Sequence, residues 1–423
     1  MGYTEETMAV VEKVIEKAGI ERRHTCIAST PEAFVNALLH SGPRARAELW
    51  EREAPVLAAA AARDALAHWP SGTAAAITHV VTHSCTGFAA PGLDHHLITA
   101  LGLRPSTRRV GVNFMGCFGG MTALYVAKQI VEAAPEGAAV VLVVCVETCS
   151  LHMSATDTRT ELVIGNTIFA DGAGAAVVTS AGRAGGVGAA ANTPASWGLG
   201  DMASEVLPDS AGAMTWRNNC DGTFAMWLDK SIPAVLSRAF ATRGLSLLRA
   251  VGVLSPWRCA WALHPGGAAI VRAFRRAFDV LRIPGEGLDA SLEVLRDHGN
   301  MSSASIFFVL QRVLARTAAD EVFVAAFGPG LTIEFARLYR LPQDGGGGGG
   351  GGGVKAQGPG SGQWADGGET DAVDAGRAAM PAPDANGCAN GHGKSVAIAA
   401  AAAALAAGES GARGHASTTN GHA

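Results

Sequence analysis

The sequence predicts an α/β protein of stacked helix and sheet layers assembled from two related halves. Three observations carry that reading. Segments of helical period alternate with short β-branched runs from residue 5 to about residue 341. The run Ala139 to Val146 is apolar at every position, as in a strand covered on both faces. A strand, a glycine turn and a helix recur in that order around Cys117 and again around His264. The halves are placed at residues 1–180 and 181–341, with a Gly/Ala/Ser-rich tail over 342–423.

In chain order, Glu5 to Ala18 reads as a helix, with Val10, Val11, Val14 and Ile15 on one face and Lys13 and Lys17 on another. Pro43 to His68 is Ala-rich and helical, with a bend expected at Pro55. Ile77 to His83 reads as a strand, Leu93 to Leu101 as a helix, and Arg109 to Phe114 as a strand that stops at Gly116. Thr122 to Val131 is helix-patterned, and Ile168 to Thr179 reads as a strand. Gly222 to Phe240 is helix-patterned, as are Ala268 to Phe278 and Ile306 to Leu314. The glycines at 345–353 open a tail with too few large apolar residues to offset its ordering entropy, so it is expected to be disordered.

Composition narrows the function classes. With 423 residues, 48% of them hydrophobic and 17% charged, the chain can bury a large core. A net charge of -4 and a pI near 6.4, with Lys and Arg scattered rather than striped, exclude a nucleic-acid partner. Eight cysteines without a CxxC pair predict free thiols in a reducing compartment, the cytoplasm, and no metal site. The N-terminus has neither a signal peptide's apolar run nor a transit peptide's basic character. Gly2 suggests myristoylation, but Glu6 stands where Ser or Thr is required. The longest apolar stretches are too short to cross a bilayer, so no membrane association is expected.

Cys117 lies between a β-type run and a helix, where unsatisfied N–H groups and the positive end of a helix dipole favour a thiolate. It is a candidate nucleophile. His264, in His264-Pro265-Gly266-Gly267, and Asn300, in Gly299-Asn300-Met301-Ser302-Ser303, also sit where elements end, positions that face clefts rather than packed layers. Taken singly, the three have plainer readings as a buried small thiol, a buried structural histidine and a helix N-cap.

Four segments together resemble the type III polyketide synthases, the chalcone synthase-like enzymes of the thiolase superfamily. They are Phe114 to Met121, the turn at His264, Gly299 to Ser303, and Phe327-Gly328-Pro329-Gly330-Leu331-Thr332-Ile333-Glu334, and the resemblance covers nearly all of residues 5–341. It implies a thiolase-like αβαβα fold and a Cys117, His264, Asn300 triad with Cys117 carrying the acyl group. It also implies a homodimer that uses an acyl-CoA starter and malonyl-CoA directly, needing no acyl carrier protein and no cofactor beyond these substrates. Phe169 and Phe224 match the family's gatekeepers, and Cys85, Thr86, His152, Thr215 and Ser302 fall on its cavity positions. Ala90 matches a cavity site contributed across the dimer. Lys13, Lys17, Gly267 and Ala269 match its CoA tunnel, and Gly328, Pro329 and Gly330 its cyclisation loop. The implied product is a pyrone, a resorcinol or a chalcone-type ring.

The implied chemistry explains the residue types. Attack on an acyl-CoA calls for a depressed thiol pKa, so Cys117 and His264 are expected to form an ion pair. Decarboxylating a malonyl thioester leaves an enolate, which the His264 Nε2–H and the Asn300 amide are suited to hold. Family members carry a helix and an internal sheet strand upstream of the segment matching Glu5 to Arg23. The first half is therefore expected to lack both and to leave a sheet position unpaired.

Other readings stay open at this stage. A β-ketoacyl-acyl carrier protein synthase III-like enzyme shares a Cys-His-Asn set but usually shows His-Gln-Ala-Asn where this chain has His264-Pro265-Gly266-Gly267. A papain-class protease places Cys-Gly-Ser-Cys-Trp around its nucleophile, which this chain does not. A non-catalytic CoA-binding homologue is the third alternative.

Overall fold

The computed structural model describes residues 4–27, 30–69, 72–154, 157, 159–181, 197–220, 222–253, 255–341 and 396–401. The chain divides into two units, 1–342 with 394–423, and 343–393, and every described residue lies in the first.

The first half contains helices α1 (Glu5–Ala18), α2 (Pro31–His40), α3 (Pro43–Ala67), α4 (Leu93–Leu101), α5 (Gly119–Ala133) and α6 (Thr160–Ile168). Its strands are β1 (His79–His83), β2 (Arg108–Gly111), β3 (Val140–Thr148) and β4 (Asp171–Ser180). The second half begins with β5 (Trp197–Val206) and the hairpin of β6 (Met214–Asn218) and β7 (Phe224–Leu228). It continues through α7 (Ile232–Ala250), β8 (Cys259–Leu263), α8 (Ala268–Leu281), α9 (Leu288–His298), α10 (Ser305–Arg316), β9 (Glu321–Gly328) and β10 (Thr332–Arg340). A further strand, β11, spans Val396–Ala401.

Nine of these strands form one sheet in the order β2-β1-β3-β4-β11-β5-β10-β9-β8. The order is symmetric about its middle. On one side β1 and β3 are parallel and β4 is antiparallel to β3; on the other β8 and β9 are parallel and β10 is antiparallel to β9. The junction is made by β11, antiparallel to β4, and β5, antiparallel to β10.

Strand alternation sorts the core into layers. Val141, Val143 and Cys145 of β3 join Val322, Val324 and Ala326 of β9 in one cluster that also holds α5 and α10. Val140, Leu142 and Val144 face the other way onto α3 and α4, and Phe323, Ala325 and Phe327 face α7 and α8. Helices α5 and α10 are thus enclosed between two half-sheets, with α3/α4 and α7/α8 outside. This is the five-layered arrangement that the resemblance implies.

Three expectations are corrected. The segment read as a strand from Ile168 begins only at Asp171, because Ile168 closes α6 and Phe169 is held in an isolated bridge to Asn300. The helix read over Gly222 to Phe240 starts at Ile232; before it, the aromatic, β-prone Phe224–Leu228 pairs with β6. The disorder expected over 342–423 falls mostly outside the described residues, but Val396–Ala401 is a strand. It occupies the sheet position beside β4 that was expected to be unpaired.

Candidate active site

Between β2 and α5 the backbone makes a tight elbow that presents Cys117 two residues before the helix begins. Gly116 adopts φ 87°, and a Cβ there would lie 2.2 Å from Pro329 Cδ, so only glycine fits. The start of α5 is pressed against β1, where a Cβ on Gly119 would lie 1.9 Å from His83 Nε2. Cys117 is buried, and Ser302 Oγ donates to its Sγ at 3.5 Å.

Asn300 follows α9 and is fixed at both ends of its side chain. Its Nδ2 donates to Gly266 O at 3.3 Å and its Oδ1 accepts from the Ser302 N–H at 2.8 Å. His264 leaves β8 with its backbone N–H bonded to Ala325 O at 2.8 Å. Its ring is buried, and neither nitrogen has a hydrogen-bond partner among the described residues. Cys117, His264 and Asn300, from three remote segments, line one cavity of about 340 Å³ together with Phe169 and Phe327.

Burial dominates the electrostatics here. It pushes the Cys117 thiol up to about 12, against the lowering effect of hydrogen bonds with Ser302 and Asn300, and Glu147 adds to the rise. Burial alone holds His264 down to about 3. The pocket therefore favours a thiol and a neutral imidazole over the expected ion pair, because no fixed charge offsets the loss of solvation of either group.

Phe169 also lines a neighbouring cavity of about 550 Å³, so it forms the wall between the two. Phe224 lines only the second, within a ring cluster made by His152 at 4.7 Å, Phe114 at 5.4 Å and Trp216 at 5.7 Å between centroids. His152 braces this wall. Its Nδ1 accepts from the Phe224 N–H at 3.1 Å, which leaves Nε2 to donate to Thr86 O at 2.6 Å.

Cys85, Thr86, Thr215 and Ser302 line neither of these two cavities. Cys85 and Thr86 instead build a polar support under the elbow, centred on Glu147, which sequence reasoning missed. Glu147 Oε2 accepts from the Cys85 N–H at 3.0 Å and from Thr86 Oγ1 at 3.1 Å, while Ser303 Oγ donates to Oε1. Cys85 Sγ accepts the Gly116 N–H at 3.0 Å. His83, Cys85 and Glu147 lie within 4.8 Å of one another by their ligand atoms, but their shared role is this hydrogen-bonded support. The available signal was a lone carboxylate inside an otherwise apolar buried strand. Thr215 lies in the hairpin opposite Trp227.

Of the four CoA positions, Lys17, Gly267 and Ala269 line the first cavity and Lys13 does not. Lys230 and Arg272 line it as well, and Arg272 Nη2 donates to Lys17 O at 3.3 Å. Neither had been singled out, since each sits in a helix-patterned stretch where a basic residue reads as a solvated face. The Gly328-Pro329-Gly330 loop rests on the elbow: a Cβ on Gly328 would lie 2.5 Å from the Phe118 ring and 3.3 Å from Cys117 N.

Family models for chalcone and stilbene synthases match the chain twice, the N-terminal domain over residues 4–182 and the C-terminal domain over 199–342. Among solved structures, the chain is similar to the C-terminal type III polyketide synthase domain of Steely1, a type I/III hybrid from Dictyostelium. That match has 28% identity and a TM-score of 0.71, covering 81% of this chain and 92% of that one. It is also similar to a single-substitution mutant of CsyB, at 26% identity and a TM-score of 0.68, covering 80% and 92%.

Proposed function

The chain belongs to the chalcone and stilbene synthase family and is a type III polyketide synthase, and on that premise we propose that Cys117 carries the acyl starter while His264 and Asn300 hold the enolate. The observation that carries this reading is the convergence of these three side chains on one cavity lined also by Lys17, Lys230 and Arg272. Three cations at a largely apolar pocket suit the phosphates of a coenzyme A thioester, and the apolar remainder suits an acyl chain.

The starter is transferred as the Cys117 proton moves to the neighbouring imidazole and the sulfur displaces coenzyme A. Malonyl-CoA then loses CO2, and the electron pair left on its α-carbon spreads onto the thioester oxygen. Donors fixed before the charge develops stabilise it most, and the Asn300 amide is fixed by Gly266 and Ser302. Attack of that carbon on the Cys117 thioester lengthens the chain and frees the thiol. Phe169 and Phe224 separate loading from extension, and the second cavity, braced by His152, bounds the growing chain before closure to a pyrone, resorcinol or chalcone-type ring. The Gly328-Pro329-Gly330 loop scaffolds the cyclisation site from beneath. Coenzyme A thioesters enter as substrates, and the scheme calls on no separate cofactor and no acyl carrier protein.

Two further assignments belong to this reading. Phe88, 68% exposed, and Phe114, 43% exposed, meet edge to face at 5.9 Å on the surface next to the Phe224 cluster, an apolar patch suited to a homodimer. The seven described cysteines are all free and no helix among the described residues is long and apolar enough to cross a membrane, in keeping with a cytoplasmic enzyme.

The test is turnover of labelled malonyl-CoA with short, long and aromatic acyl-CoA starters, with products identified by mass. Cys117→Ala should abolish starter loading while leaving some malonyl decarboxylation. Product formation by Cys117→Ala at the wild-type rate would end the proposal.

A further inference from the structure

The two halves differ in where their junction strand comes from. In the second half β5 precedes β8, β9 and β10 in the chain and pairs antiparallel with β10. The symmetric position in the first half, antiparallel to β4, is filled by β11, which comes after every other described element. We propose that residues 396–401 are the first half's junction strand delivered from a distant part of the same chain, so that the folded catalytic unit includes this segment.

The seat is built for it. Val396 pairs with Ser180, Ile398 with Val178 and Ala401 with Ala175, while on the other edge Ala397 meets Gly198 and Ile398 meets Trp197. Val396, Ala397 and Ile398 are each at most 1% exposed. Val396 and Ile398 join the cluster shared by α5 and α10, and α3 packs over the opposite side of the strand. With β11 seated every residue of β4 is buried, and an empty seat would leave the N–H and C=O groups of that edge without their strand partner.

Delivery within one chain is geometrically easy. Arg340 at the end of β10 pairs with Trp197, and Trp197 pairs with Ile398. The strand therefore sits two sheet spacings from the end of β10, roughly 10 Å, a gap far shorter than the reach of the chain between residues 341 and 396. The segment 395–408 carries no charge, as an internal strand requires. A loosened β4 would also disturb chemistry, because its first residue follows directly on Ile168 to Ala170, whose Ile168 O and Ala170 N–H bond the Asn300 backbone.

Hydrogen exchange on the full chain, read by mass spectrometry, tests this without reference to turnover. Amides of 396–401 should exchange at least ~100-fold slower than an unstructured chain, at a protection independent of protein concentration. Exchange within about tenfold of the unstructured rate would overturn the proposal, and so would protection that rises with concentration in step with oligomer formation, since the strand would then come from a second copy. A chain ending at residue 393 should lose protection in β4 and regain it when a synthetic peptide of residues 394–402 is added, whereas a chain ending at residue 402 should match the full protein. Unchanged β4 protection in the chain ending at 393 also overturns it. Should that shorter chain prove insoluble, Ile398→Pro in the full chain gives the same reading: β4 protection falls if the strand is seated there and holds if it is not.

Discussion

Asn300 and Phe169 form a parallel bridge outside any strand: the Asn300 N–H donates to Ile168 O at 2.8 Å, and Asn300 O accepts the Ala170 N–H at 2.9 Å. The amide proposed to hold the enolate and the ring that divides the two cavities are thus tied through main chain. Because those bonds do not involve the Asn300 side chain, truncating it should leave the bridge in place. Asn300→Ala is expected to keep its thermal midpoint within a few degrees while malonyl decarboxylation drops about 100- to 1,000-fold. Parallel loss of structure and rate, seen by circular dichroism and CO2 release, would contradict this.

Phe169 is the shared wall, and removing its ring merges the cavities. Phe169→Ala should cost about 3–5 kcal/mol in denaturant unfolding, unless the space refills. Its products with long starters should shift in mass, because the division between loading and extension is lost. An unchanged product profile argues that the ring does not gate.

His264 sets an acid limit on stability. Burial holds it down to about 3 against the ordinary imidazole value of 6.5, so on acidification the unfolded chain takes up the proton first. Its contribution is therefore complete above pH ~6.5 and drains as pH falls toward 3. His298, held down to about 4 chiefly by burial, adds a slope of the same sign. Urea unfolding from pH 7 to 4 should show His264→Gln losing less stability than the parent over that range. Equal losses would place the titration elsewhere.

The Cys117 thiol is pushed up to about 12 by burial. Its alkylation by iodoacetamide should keep rising well past the ordinary thiol range of ~8.5 rather than level off below it. Ser302→Ala removes a hydrogen bond that lowers the value, so the labelling profile should move further alkaline. A rate already at plateau by pH 7 would mean that the resting enzyme holds a thiolate after all.

Glu147 accepts from the Cys85 N–H, Thr86 and Ser303 with both oxygens buried. Glu147→Gln puts a donor where an acceptor is needed, at an expected cost of about 1–3 kcal/mol. Since this support sits under the elbow, kcat should fall more than KM rises. A change confined to KM would exclude a role in positioning Cys117.

The parts of this protein that could be read from its sequence are those in which local pattern and tertiary role agree. The unbroken apolar run of β3, the periodicity of the helix after Cys117 and the glycine turn at His264 each lie in a few adjacent residues. The strand Val396–Ala401 could not be read that way: alanine is the strongest helix former and sits in a low-complexity tail, and only the open edge of β4 makes this stretch extended. Glu147 escaped notice because its partners lie about 60 and 156 residues away. Arg272, on α8, and Lys230, in the turn before α7, escaped because a lone basic residue carries no mark of what it faces. The opposition of burial to the ion pair expected from residue types was not legible either, because desolvation depends on the surroundings, which no short motif records.

Helices α5 and α10 are the filling between two half-sheets, and each begins beside a reactive group, the sulfur at one and the carboxamide at the other. The distance across which a carbon–carbon bond must form is therefore set by the apolar packing of these helices as well as by the Ser302 contacts to Cys117 and Asn300. Drift during evolution in residues such as Met121, Phe307 or Val309, none of which lines either cavity, would be felt as a change in the gap between electrophile and carbanion, and so as altered chemistry.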